Sequence, residues 1–163
     1  MAINWVLPVR GVQFALSATV LGMMAYVASW WSSHWRQMSP VEVNFMIFSP
    51  IWSILALAAL IVVPMKFPSM AEQTGPKIGL FVLELVTSLY WFGGFVALAV
   101  FLNDRICFGT VCSIAKAGTA ISAINWAAWA ATLVATVIRV FFNKGASMSK
   151  APGAPKVEMH QGV

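Results

Sequence analysis

Four stretches of this 163-residue chain are almost free of charge, and each is long enough to cross a bilayer. Residues 11–31, 43–65 and 117–138 contain no Asp, Glu, Lys or Arg, and 78–102 contains only Glu84. A hydrocarbon core of ~30 Å needs about 20 helical residues. Each run therefore spans once, and none is long enough to span twice. The same four helices in a soluble bundle would need polar outer faces, which these runs lack. Composition agrees: 60% of the residues are hydrophobic and 9% charged, where a soluble domain is about half apolar and a quarter charged. The expected fold class is all-α, an integral membrane four-helix bundle. A short N-terminus (1–10) precedes a four-span domain (11–142), and a tail (143–163) follows. Helix 1 reads as an anchor and not a cleavable signal, because its apolar run exceeds a typical signal core.

Orientation follows from the basic residues, which accumulate on the cytoplasmic side of short loops. Arg10, Lys66, Lys77, Arg139, Lys144, Lys150 and Lys156 belong to the face of the termini, and Arg36, Arg105 and Lys116 to the opposite face. Both termini are thus expected in the cytoplasm. The tail is rich in Gly, Ala, Pro and Lys and cannot bury a core. Lys144, Lys150 and Lys156 are expected to favour an anionic inner leaflet, at about 1 kcal/mol each near the surface. Phosphorylation of Ser147 or Ser149 would oppose that attraction.

The two cysteines, Cys107 and Cys112, lie in the outer loop "NDRICFGTVCSIAKAG". A metal site, a redox pair and a disulfide compete for them. Zinc needs more ligands, and neither histidine is close in sequence: His34 lies in the other outer loop and His160 in the tail. The spacing is not C-x-x-C. On the oxidising side of a membrane the remaining reading is a disulfide. Gly109 at its centre can supply a positive φ if the tight loop requires one. No metal site is expected.

Glu84 is the most unusual residue, because a carboxylate within a span is costly and faces the bundle or water. By depth, Gln13 and Ser17 of helix 1 and Thr132 and Thr136 of helix 4 are the expected hydrogen-bond partners. Arg10 or Arg139 is in position to approach from the interface. A structural polar clamp and an ion or proton relay are both open. The relay reading lacks any second acid within the spans. Asn125 is expected to form an interhelical hydrogen bond. Small residues at helical spacing suggest packing faces: Ala15, Ala18, Gly22 and Ala25 on helix 1, and Ala123, Ala127 and Ala131 on helix 4. Gly93 and Gly94 in helix 3 suggest a bend or a close approach. These faces serve packing within the bundle or homo-oligomerisation. Trp30, Trp31 and Trp35 read as an interfacial belt, with a stacking site for sterol or sugar as the alternative. Trp91, Trp126 and Trp129 are expected at helix contacts. Pro64 is expected to end helix 2. The segment from Arg10 through Phe14 to Leu16 matches the loose basic–aromatic–aliphatic pattern proposed for cholesterol contact.

"CFGTVCSIAKAGTAISAINWAAW" and "LELVTSLYWFGGFVALA", set in four spans with short loops, resemble the MARVEL-domain proteins. The pattern of paired Cys, Lys-Ala and two tryptophans in helix 4 is most like fungal members, and the resemblance covers residues 8–142. It implies membrane organisation or trafficking through lateral packing and lipid-domain preference, not catalysis. The fungal non-classical-export group is associated with plasma-membrane furrows called eisosomes. The expected setting is the plasma membrane or secretory-pathway vesicles. The expected partners are membrane lipids, with a homo-oligomer or a membrane-protein partner in view and no nucleic acid. No cofactor is expected beyond a bound sterol or sphingolipid. Two other readings stand beside this one: a small transporter or channel using Glu84, and an accessory subunit of a larger membrane complex. An enzyme is not expected, since no nucleophile–base pair or metal cluster is visible.

Overall fold

The computed structural model describes residues 6–36, 38–67, 74–104 and 109–138. Among these residues the fold is four helices: α1 (Val6–Trp35), α2 (Val41–Lys66), α3 (Thr74–Asn103) and α4 (Thr110–Val137). All four are long and apolar enough to cross a membrane. Within hydrocarbon the backbone must satisfy its own hydrogen bonds, which a helix does without a neighbour.

Each helix outruns its charge-free segment. At ~1.5 Å per residue they measure about 39–45 Å, against ~30 Å of hydrocarbon. Charge marks the edge of the apolar slab and not the end of the helix. Lys116, for example, lies inside α4, where its long stem can reach back to the interface. Gly109, at the N-cap of α4, has φ 89° and ψ −177°, which glycine adopts without strain. Helix α2 runs to Lys66 and not to Pro64. A proline forfeits its own N–H bond but does not prevent the last turn from closing behind it, and Phe67 N–H caps that turn on the Val63 carbonyl at 2.9 Å.

The helices form a four-membered ring. α1 packs on α2 and α4, α3 packs on the same two, and among the described residues the diagonal pairs do not meet backbone to backbone. Both ends of the α1–α3 diagonal are bridged by side chains. Arg10 reaches Glu84 near the ends that lead to the termini. Trp31 lies 6.4 Å from Phe101 at the loop end.

The buried faces differ from the small-residue stripes. In α1 the inward face is Arg10, Gln13, Ser17, Val20, Met24 and Val27, while Ala15, Ala18, Gly22 and Ala25 point outward. Lipid exerts no hydrophobic force to turn alanines inward, whereas it penalises an exposed guanidinium or amide. The polar residues therefore set the rotation of the helix. In α4 the inward face is Cys112, Ala115, Gly118, Ser122, Asn125, Trp129 and Thr132. A stripe of every fourth residue drifts by about 40° per repeat on a 3.6-residue helix. It begins buried at Ala115, is half-buried at Ala123 and is exposed at Ala127 and Ala131. Trp91 and Trp129 are fully buried, and Trp126 is half-buried against Phe92 and Phe95.

Two glycines mark close approaches. A Cβ on Gly94 would meet the Met46 thioether at 2.5 Å and the Phe45 ring at 3.3 Å, and one on Gly118 would meet the Met24 methyl group. Gly93 and Gly22 face open space. Gly118 went unrecognised in the sequence, although it continues the three- and four-residue spacing of Ala115 and Ser122. Substituting Gly94→Leu or Gly118→Leu is expected to lower stability by about 1–3 kcal/mol through overpacking. Gly93→Leu is expected to leave stability unchanged or slightly raised. Reversible unfolding in mixed micelles checks both.

Candidate functional site

The interior is polar in one half and apolar in the other. Toward the termini, α1 contributes Arg10, Gln13 and Ser17, α3 contributes Glu84, Thr87 and Ser88, and α4 contributes Asn125 and Thr132, all buried. Toward the loops the core is Met24, Val27, Val43, Met46, Leu98 and Ala115. There, Ser49 turns its hydroxyl back onto the Phe45 carbonyl at 2.9 Å.

The centre of the polar half is an ion pair. Arg10 Nη2 donates to Glu84 Oε1 at 2.5 Å, with the residues 7% and 1% exposed. Arg10 Nη1 donates to Gln13 Oε1 at 3.2 Å, and the guanidinium sits 5.2 Å from the centre of the Trp129 ring. The second carboxylate oxygen accepts from Thr136 Oγ1 at 2.9 Å. That hydroxyl is also 2.9 Å from the Thr132 carbonyl, so its single proton serves one acceptor at a time. Gln13 Nε2 donates to Thr132 Oγ1 at 3.3 Å, and Asn125 Nδ2 donates to Ser17 Oγ at 3.1 Å. The pair thus links α1 to α3, while its flanking amides link α1 to α4.

The α2–α3 seam is joined by two indoles. Trp91 Nε1 donates to Ser53 Oγ at 2.7 Å, and Trp52 Nε1 donates to Thr87 Oγ1 at 3.1 Å. Each hydroxyl spends its proton on a carbonyl one turn earlier, Ser53 on Ser49 and Thr87 on Leu83, and so is left as an acceptor. Sequence reasoning missed this seam. Its only signal was hydroxyl residues inside apolar runs that also hold tryptophan.

Of the residues singled out from sequence, Glu84, Gln13, Thr132 and Thr136 come together with Arg10. Asn125 lies one contact away, on Ser17. Burial of Arg10 splits the cholesterol-contact pattern, because the cation faces the core while Phe14 faces outward. Cys112 is buried at the first turn of α4. Cys107, Arg139, Ser147, Ser149, Lys144, Lys150 and Lys156 lie outside the described residues. Among the described residues, no group of three His, Cys, Asp or Glu side chains could hold a metal ion.

Chemically, the arrangement neutralises its own charges. A guanidinium and a carboxylate are matched, Gln13 accepts a second guanidinium bond, and Thr136 donates to the second carboxylate oxygen, while the nearby Asn125 Oδ1 and Trp129 Nε1 are buried without a hydrogen-bond partner among the described residues. Removing one partner leaves a buried charge uncompensated. Arg10→Leu or Glu84→Leu alone is expected to cost about 3–5 kcal/mol. The double variant Arg10→Leu/Glu84→Leu is expected to be more stable than either single variant. A double-mutant cycle of unfolding in mixed micelles measures the coupling.

No curated protein and no solved structure matches the chain. A family model does, over residues 4–135, and it is described as MARVEL, a membrane-associating domain. That match takes in all four spans and both members of the buried ion pair, and on it the chain belongs to the MARVEL family of four-span membrane domains.

Proposed function

We propose that the chain is a non-catalytic membrane organiser that works through its lipid-facing surfaces. The observation that carries this reading is the contrast between an interior whose buried charges are paired with each other and the outward-turned small face of α1. Glu84 is bonded to Arg10 and Thr136, which weighs against a proton or ion relay. In the loop half the buried Ser49 and Ser122 each give their hydroxyl proton to a carbonyl of their own helix. Ala15, Ala18, Gly22 and Ala25, by contrast, face away from the bundle, and nothing lies within 4 Å of a Cβ placed on Gly22. In lipid, helices associate by close packing of such residues. This face would let copies of the chain assemble side by side. An accessory-subunit role would use the same face against a different protein.

The finer assignment follows the sequence resemblance. The proposed affiliation is with the fungal non-classical-export type, at eisosome furrows of the plasma membrane or on secretory vesicles. The proposed orientation places both termini in the cytoplasm. Cys107 and Cys112 are proposed to form a disulfide outside it, stabilising by roughly 2 kcal/mol by closing a short loop. Thiol alkylation of the denatured chain should label both cysteines only after reduction.

Self-association tests the main reading. Labelled copies in liposomes are expected to show energy transfer that falls with dilution in lipid. Ala18→Leu/Gly22→Leu should reduce that transfer severalfold without changing the unfolding midpoint, because the face lies outside the bundle. Wild-type chains that show no transfer above random proximity would overturn the reading.

A further inference from the structure

The seam between α3 and α4 opens near the loop end into a groove of about 560 Å³. Asn103 and Lys116 stand at its outer end, with Phe95, Ala99, Ala120 and Ala123 further in. Ala99 on α3 and Thr119, Ala120 and Ala123 on α4 are small, and they leave the space open beside Phe95 and Leu102. At the deep end the lining ring is Phe95, itself packed 5.7 Å from Trp126. Lys116 is exposed, and no carboxylate among the described residues pairs with it. A cation thus sits at the interfacial end of an apolar channel. From Lys116 to Ala123 the channel runs about 10 Å along the helix.

We propose that this groove is a glycerophospholipid site. The Lys116 ammonium holds the phosphodiester, Asn103 offers an amide beside it, and the upper part of one acyl chain lies on Phe95, Ala99, Ala120 and Ala123. The charges are complementary. A lysine on a helix of this kind must return its ammonium to the headgroup layer, where lipid phosphate is the anion at hand. The lining reaches no deeper than Phe95 and Ala123, so only the upper part of the chain is enclosed. The site rests on the reading of the chain as a membrane organiser with a lipid preference, and it names the lipid class.

The full chain, purified in detergent, is exchanged into nanodiscs of phosphatidylcholine doped with either a diazirine phospholipid or a diazirine diacylglycerol of the same chains. Photolysis and peptide mapping are expected to place the phospholipid adduct on the α3–α4 groove. Labelling by diacylglycerol should be weaker by about tenfold, the worth of one hydrogen bond to a charged group. Lys116→Gln should erase that preference, Lys116→Arg should keep it, and Ala123→Leu should abolish groove labelling by both probes. Equal labelling by the two probes, adducts spread evenly over the lipid-facing surface, or displacement of the probe by sterol alone would each overturn the proposal. The energy-transfer assay is run on the same variants. Loss of groove labelling with self-association intact sinks only this site, whereas absent self-association sinks the reading beneath it.

Discussion

A guanidinium and a carboxylate can both sit within a bilayer-spanning bundle only if each finds the other. Arg10 and Glu84 do so across the α1–α3 diagonal, one of the two along which the described helices make no backbone contact. The rotation of α1 follows from this. Once Arg10 faces inward, Gln13 and Ser17 face inward with it, one helical turn apart. Their partners Thr132 and Asn125 then fix the face that α4 presents. The outward direction of the alanine and glycine stripe on α1 is a consequence of that choice and not an independent preference. A buried pair of this kind is weak evidence for high stability, since desolvation offsets much of the attraction. Its stronger effect is on arrangement, because any other rotation of α1 leaves a charge in lipid.

The loop half of the bundle is organised by a different principle. Its core is apolar, and close contact there comes from methionines lying against glycines, Met46 on Gly94 and Met24 on Gly118. Methionine adapts to irregular gaps, which suits a region where few directional bonds fix the geometry. The tryptophans at the end of α1 sit where an amphipathic ring is most at home, and Trp31 reaches Phe101 to close the diagonal. Direction in the polar half and shape in the apolar half together hold the four helices in one bundle.

Much of this was legible in the sequence. Four charge-free runs carried the four spans, and matching depths along them placed Glu84 beside Thr136 and named Arg10 as a candidate to reach it. The packing faces were less legible, for a physical reason. In a soluble helix, hydrophobicity separates inside from outside. In lipid both sides are apolar, so an alanine stripe does not say which way it points. Only the polar residues carry that information, and on α1 they lie on a different face from the stripe. The every-fourth-residue pattern on α4 does not define a single face, because it winds around the helix, so that Ala115 is buried and Ala131 exposed. The paired indoles of Trp52 and Trp91 had no periodic signature, because each partner hydroxyl lies on another helix.

The two outward surfaces bear on function differently because of where the ring places them. α1 and α3 stand on a diagonal, so the small face of α1 points away from the bundle on the side opposite α3. The α3–α4 groove opens elsewhere on the perimeter. A neighbour packed on α1 need not cover the groove, and a lipid in the groove need not obstruct that neighbour. The polar residues divide in the same way. The charged groups of the membrane interior are used on one another, while Lys116 is an exposed cation within a span near the loop end. A four-span domain that sorts its residues in this way has its chemistry turned inward for shape and its surfaces turned outward for company. In the proposed role of membrane organiser, those outward surfaces are the ones put to use.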